Sequence, residues 1–148
     1  MIYYGYETFR EDTKTLVAAV RPYAPDALVS VARGGMMLGQ FISYGLDLRN
    51  IHSVRVEAYD GEERRERATV LGHCDLTGAQ RVLIVDDIVD SGMTLEALLE
   101  SLRNAYPQAE FRTAAIFHKP SASLQPDFSV REATEWIDFF WESDLAGV

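Results

Sequence analysis

One cysteine, Cys74, stands among the 148 residues of this chain. An internal disulfide is thereby excluded, as is a zinc site built from several thiolates, and a reducing compartment is the natural expectation. Basic residues are also short, with fourteen Lys and Arg against twenty-three Asp and Glu and a formal net charge of -9. A surface of that sign repels phosphate backbones and anionic headgroups, which argues against nucleic acid and membrane surfaces as partners. Any anionic ligand has to be small and held by local donors or a metal. No apolar run approaches the roughly 18 residues that span a bilayer, and the start, Met1-Ile2-Tyr3-Tyr4-Gly5-Tyr6-Glu7, lacks the basic and apolar regions of an export signal. A soluble, unexported, cytoplasmic chain without stable membrane insertion is expected. Repeats, linkers and low-complexity segments are missing too. What remains is an ordinary globular balance of 47% apolar and 25% charged residues at a length suited to one domain.

The pattern that is present alternates strands with helices. Thr8 followed by Glu11 predicts a capping box, after which Phe9, Leu16, Val17 and Val20 share a helical face that ends before Pro22 and Pro25. Residues 27–31 predict an apolar strand running into Arg33-Gly34-Gly35, where two glycines permit a tight turn and close backbone approach by a ligand. The next helix is predicted over 36–44. Val54, Val56 and Ala58 alternate with Arg55, Glu57 and Tyr59 in the manner of a half-buried strand, while the mixed charge of residues 60–67 predicts a surface loop or helix. Residues 82–85 form a continuous aliphatic run, short enough for a strand buried on both faces, with an abruptly polar end. Leu95, Leu98, Leu99 and Leu102 then recur at helical spacing up to Pro107, and residues 113–117 predict another strand. Such alternation implies an α/β parallel sheet with helices on both faces and ligand sites beyond the carboxyl ends of its strands. The tail from His118 onward holds Trp136, Phe139, Phe140 and Trp141, and predicts an irregular appendage, a small hood packed over one end.

Acids directly after a buried strand sit at the edge of low dielectric and need compensation. Asp86, Asp87 and Asp90 are so placed. Just beyond them Ser91, Gly92, Met93 and Thr94 open a helix whose small residues, free amides and two hydroxyls suit a phosphate. Carboxylates beside a phosphate make sense when they face sugar hydroxyls or a divalent cation shared by both groups. A sugar phosphate with magnesium satisfies every part of the segment. Helix capping alone would account for one acid, not three.

The run from Val82 to Thr94 resembles the phosphoribosyl-pyrophosphate signature of the type I phosphoribosyltransferases, and within them the chain is most similar to the short bacterial xanthine-guanine and hypoxanthine enzymes. Val31-Ala32-Arg33-Gly34-Gly35 resembles their pyrophosphate loop, Phe117-His118-Lys119-Pro120 the strand end that supplies a base-reading lysine, and Trp136-Ile137-Asp138 the aromatic lid over the purine. The resemblance extends over nearly the whole chain and implies one phosphoribosyltransferase domain over residues 1–148. It further implies that Asp86 and Asp87 face the ribose hydroxyls and Mg2+, with Asp87 as the metal ligand. Ser91, Gly92, Met93 and Thr94 would hold the 5-phosphate, while Ala32, Arg33 and Gly34 would bind pyrophosphate through a loop whose cis peptide falls at Ala32-Arg33. A mobile-loop arginine, Arg64 or Arg65, would reach the same pyrophosphate. Asp90 would manage the purine proton as the catalytic residue, Lys119 would donate to the 6-oxo group, and Trp136 and Ile137 would cover the ring.

Two tempting motifs carry nothing. Gly34 to Gly39 has the glycine spacing of a Walker A loop, but Gln40-Phe41 replaces its Lys-Ser/Thr pair. His73-Cys74 lacks a second ligand pair, and His52 and His118 are unremarkable as ligands. The expected activity is purine salvage: a 6-oxopurine joined to the ribose 5-phosphate of 5-phosphoribosyl 1-pyrophosphate by a homodimer or homotetramer. The alternative is a regulatory protein that keeps this fold and senses nucleotides without turnover.

Overall fold

The aliphatic runs become the middle of a sheet because their neighbours point to opposite sides of it. The computed structural model of the chain describes residues 1–60 and 66–148. In chain order its elements are β1 (Ile2–Tyr4), α1 (Tyr6–Val20) with a 3-10 turn (Arg21–Tyr23), β2 (Ala27–Ala32), α2 (Gly34–Gly45), β3 (Ile51–Asp60) and β4 (Glu66–Leu71). They continue with β5 (Arg81–Val89), α3 (Met93–Ala105), β6 (Glu110–His118), β7 (Phe128–Glu132), β8 (Ile137–Phe139) and α4 (Phe140–Ser143). Six strands form one sheet in the order β4-β3-β2-β5-β6-β7, and β1 pairs with β8 in a second, two-stranded parallel sheet. On one face of the large sheet Leu28, Leu83, Val85 and Ile116 pack with Phe9, Leu16, Leu38 and Ile42 of α1 and α2. On the other, Val29, Val82, Ile84 and Ala115 pack with Leu95, Leu98, Leu99 and Leu102 of α3. This is the expected α/β layering, read from the two-residue period of the strands against the helical period of their partners.

Four sequence expectations need correction. The capping box does not form: α1 starts at Tyr6 with Gly5 as its cap, because β1 delivers the chain to that point, and Glu11 pairs instead with Lys14 and Arg10. The sheet is not wholly parallel. β4 runs antiparallel to β3, with Asp60 opposite Glu66, so part of the charged stretch is strand rather than loop or helix. An edge strand has solvent beside it and needs no apolar run to reveal it. β5 does not end at Val85. Its pairing with β6 continues to Val89 opposite His118, which places Asp86 and Asp87 inside the strand. Finally, the tail is not an irregular appendage. β7 joins the main sheet beside β6, and β8 builds the hood together with the N-terminal β1, which sequence reading missed because three residues are too few to show a period. Where the hood meets the sheet, Tyr4 packs edge-on against Phe117 with ring centroids 5.0 Å apart, and the Phe139 and Trp141 rings stack at 4.7 Å. Among the described residues no helix is long and apolar enough to cross a membrane.

Candidate active site

Parallel strands β2, β5 and β6 end on the same side, and a cavity of about 690 Å3 opens there beneath the hood. Each strand brings one piece of chemistry to it. At the end of β2 the Ala32-Arg33 peptide is cis, and Arg33 and Gly34 line the cavity. A Cβ at Gly34 would collide with the Asp87 carboxylate, and one at Gly35 with the backbone of Val85 and Asp86. The two glycines therefore let this loop lie directly on β5, bringing Arg33 into the same cavity as Asp87.

β5 contributes its acids in sequence. The amide of Asp87 donates to Asp86 Oδ1 at 2.9 Å, and that of Ile88 to Asp87 Oδ1 at 2.8 Å. Burial, with the neighbouring Asp87 carboxylate, holds the Asp86 carboxyl well above the usual range, and burial raises Asp87 as well. Two crowded carboxyl groups whose charged forms are disfavoured are what a cation would relieve. Their hard oxygen donors suit magnesium. Magnesium is commonly held by one or two carboxylates with substrate oxygens and water in its other positions, a demand that these two acids could meet.

Asp90 lies beyond the strand, exposed, with its Oδ1 2.7 Å from Lys119 Nζ. The pair is positioned by the backbone, since Lys119 N–H donates to Val89 O at 2.9 Å and ties the end of β6 to that of β5. Gly92 then caps α3 at φ 91°, and Met93 N–H donates to Ser91 Oγ at 3.2 Å. Ser123 closes over this turn, donating from its amide to Ser91 O at 2.8 Å. Trp136, 72% exposed, and the buried Ile137 next to it line the same cavity.

The fold thus gathers Arg33, Gly34, Asp87, Asp90, Lys119, Trp136 and Ile137 around one cavity. Ala32 and Asp86 adjoin it along the chain. Ser91, Gly92, Met93 and Thr94 stand beside it at the start of α3 rather than in its lining. Arg64 and Arg65 lie outside the described residues. Sequence reading missed Glu142 of α4, which lines the cavity and, with Arg33, Gly34 and Trp141, an adjoining hollow of about 430 Å3. Its carboxyl is pushed up by burial and by Asp87 and Asp138, against the pull of Arg33. No local motif marks a lone glutamate in an acidic, aromatic tail.

A family model described as "Phosphoribosyl transferase domain" matches residues 13–146. The chain belongs to the phosphoribosyltransferase family. Among its curated relatives, the xanthine-guanine phosphoribosyltransferase of Cereibacter sphaeroides is 31% identical over 95% of this chain and 86% of its own. Two solved structures share the fold of this phosphoribosyltransferase along almost its whole length. The Helicobacter pylori xanthine-guanine-hypoxanthine phosphoribosyltransferase superposes with a TM-score of 0.88 at 39% identity, over 97% of this chain and 95% of the other. The Pyrococcus horikoshii purine phosphoribosyltransferase does so with a TM-score of 0.83 at 30% identity, over 95% and 92%.

Proposed function

We propose that this phosphoribosyltransferase transfers the phosphoribosyl group of 5-phosphoribosyl 1-pyrophosphate to a 6-oxopurine, yielding the nucleoside 5'-monophosphate and pyrophosphate. The observation that carries this reading is the Asp90–Lys119 pair, 2.7 Å apart, in one cavity with Asp87 and Arg33. A lysine has three donors and no acceptor, so it suits the 6-oxo group of guanine, xanthine or hypoxanthine and opposes the 6-amino group of adenine. The relatives named for xanthine, guanine and hypoxanthine support the same substrate class.

In this reading an imidazole nitrogen of the purine attacks the anomeric carbon of ribose as the bond to pyrophosphate breaks and pyrophosphate leaves with the electron pair. Asp90 accepts the proton that the ring loses. Arg33, Gly34 and Ala32 hold the leaving pyrophosphate, with Arg64 or Arg65 of the undescribed stretch completing its neutralisation. Asp86 and Asp87 accept from the ribose hydroxyls and tolerate positive charge at the sugar, while Ser91, Gly92, Met93 and Thr94 cradle the 5-phosphate. Trp136 and Ile137 cover the ring. Mg2+ would sit at Asp87, beside Asp86, and when bound would neutralise charge that builds on pyrophosphate. Residues 1–148 act as one domain in the cytoplasm, as a homodimer or homotetramer with no nucleic-acid partner and no membrane insertion. A sensor without turnover has no need of a proton acceptor paired with a base-reading lysine, so the regulatory alternative is not favoured.

The test is pyrophosphate release with guanine, xanthine, hypoxanthine and adenine, with and without magnesium. Turnover of at least one oxopurine and about 10²-fold or weaker kcat/KM for adenine are expected. No release with any oxopurine would overturn the proposal.

A further inference from the structure

Asp12 lies on α1, away from the cavity lining, yet is only 6% exposed. A carboxylate is retained in such a place when it is paired and hydrogen-bonded, and here three hydrogen bonds reach it. Tyr4 Oη donates to Oδ2 at 2.5 Å, Arg131 Nε donates to the same oxygen at 2.6 Å, and Arg131 Nη2 donates to Oδ1 at 3.1 Å. Burial, followed by this hydrogen bond, raises the Tyr4 hydroxyl above its ordinary value, so it remains a donor.

The two partners stand at opposite ends of one stretch of chain. Arg131 belongs to β7, which ends one residue later at Glu132, and Ala133 N–H then donates to His118 O at 2.8 Å. Tyr4 belongs to β1, in register with Phe139 of β8, while Ile2 N–H donates to Trp136 O at 2.9 Å. Between these anchors runs the wall that Ala133, Thr134, Glu135, Trp136, Ile137 and Phe139 present to the cavity they share with Lys119. One carboxylate therefore secures both ends of the wall: the near end through Arg131 and the far end through Tyr4.

We propose that Asp12 is a positioning residue for the reaction, setting where the wall over residues 133–139 stands against Lys119 and hence how tightly the base is held, while touching neither substrate. The kinetic half rests on the 6-oxopurine reading above; the structural half does not. Asp12→Asn keeps the shape but turns an amide donor toward groups that are already donors. Amide hydrogen exchange and steady-state kinetics of the full chain test both halves. In Asp12→Asn the amides of Ile2 and Ala133 should exchange about tenfold or more faster while those of Leu83 and Val85 keep their protection. KM for guanine should rise about tenfold, with KM for 5-phosphoribosyl 1-pyrophosphate within about twofold of the parent. Tyr4→Phe, which keeps the ring and loses one donor, should give the same pattern at about threefold and serves if the asparagine variant is insoluble. Unchanged wall amides, protection lost equally in β5, or the two KM values rising together would overturn the inference. A parent chain that turns over no 6-oxopurine would instead overturn the substrate reading, and the exchange comparison would still decide whether Asp12 anchors the wall.

Discussion

Asp90 and Lys119 neutralise one another across 2.7 Å in the free protein, although each is named for a different part of the base. In the proposed reaction a purine that engages both takes over their bond, presenting a proton to Asp90 and an acceptor to Lys119. Asp90→Asn preserves shape and removes the proton acceptor. Its kcat should fall by roughly 10²–10⁴-fold with little change in affinity for 5-phosphoribosyl 1-pyrophosphate, and near-normal turnover would refute the general-base role. Lys119→Met removes the donors that favour an oxo group and oppose an amino group. Comparing kcat/KM for guanine, xanthine, hypoxanthine and adenine should show the oxopurines losing and the gap to adenine narrowing from at least about 10²-fold. An unaltered preference would mean that Lys119 does not read the base. Both residues were legible in the sequence because each sits in a short motif at a strand end. Glu142 was not, since a lone acid next to aromatic residues has the local pattern of any surface glutamate.

Among the elements, the turn from β5 into α3 combines a left-handed residue with a close backbone approach. Gly92 lies at φ 91°, and a Cβ there would come within 2.7 Å of the Leu124 amide nitrogen, a backbone atom that cannot swing aside. Gly92→Ala should therefore destabilise the fold by about 1–2 kcal/mol or more from the left-handed conformation alone. It should also weaken 5-phosphoribosyl 1-pyrophosphate binding by about tenfold, a difference of about 1.4 kcal/mol. Chemical denaturation and titration calorimetry measure the two effects separately. Binding left intact in a destabilised variant would remove Ser91, Gly92, Met93 and Thr94 from the phosphate site. α1 and α3 were legible as elements because their apolar residues keep helical spacing over two or more turns, whereas the four-residue α4 is too short to show a period. The short pieces were not, since β1 and β8 have three residues each and owe their strand geometry to pairing with one another.

For the molecule as a whole, a ligand that binds only the folded state adds stability by mass action. At a hundred times its dissociation constant, 5-phosphoribosyl 1-pyrophosphate with magnesium should add about 2.7 kcal/mol, raising the Tm by about 5–10 °C for a chain of this size. Chelating the metal should remove most of the shift, and no shift at millimolar ligand and metal would remove the assignment of the site. Alkaline pH probes the opposite end of the sheet. Burial, with Glu110 nearby, pushes the Tyr23 hydroxyl from 10.0 up to about 12. Because the folded value lies above the unfolded one, the associated stability is fully present below about pH 10 and is lost as pH rises through about 12. Denaturation midpoints measured from pH 9 to 12 should fall less steeply in Tyr23→Phe than in the parent, and identical slopes would exclude Tyr23 as a source of the loss.

The sequence by itself determined the layers and the run of acids and small residues at the end of β5. Leu83, Ile84 and Val85 have only one way to bury their side chains on both faces, and the acids and small residues that follow lie so close along the chain that local geometry brings them together. Tertiary structure alone decided which edges meet. The hood joins the first strand to the eighth, and the Asp12–Arg131 pair spans 119 residues of sequence. Such contacts carry no period and no motif, because whether two distant segments touch depends on the packing of everything between them, and a single buried carboxylate shows its purpose only once its partners have arrived.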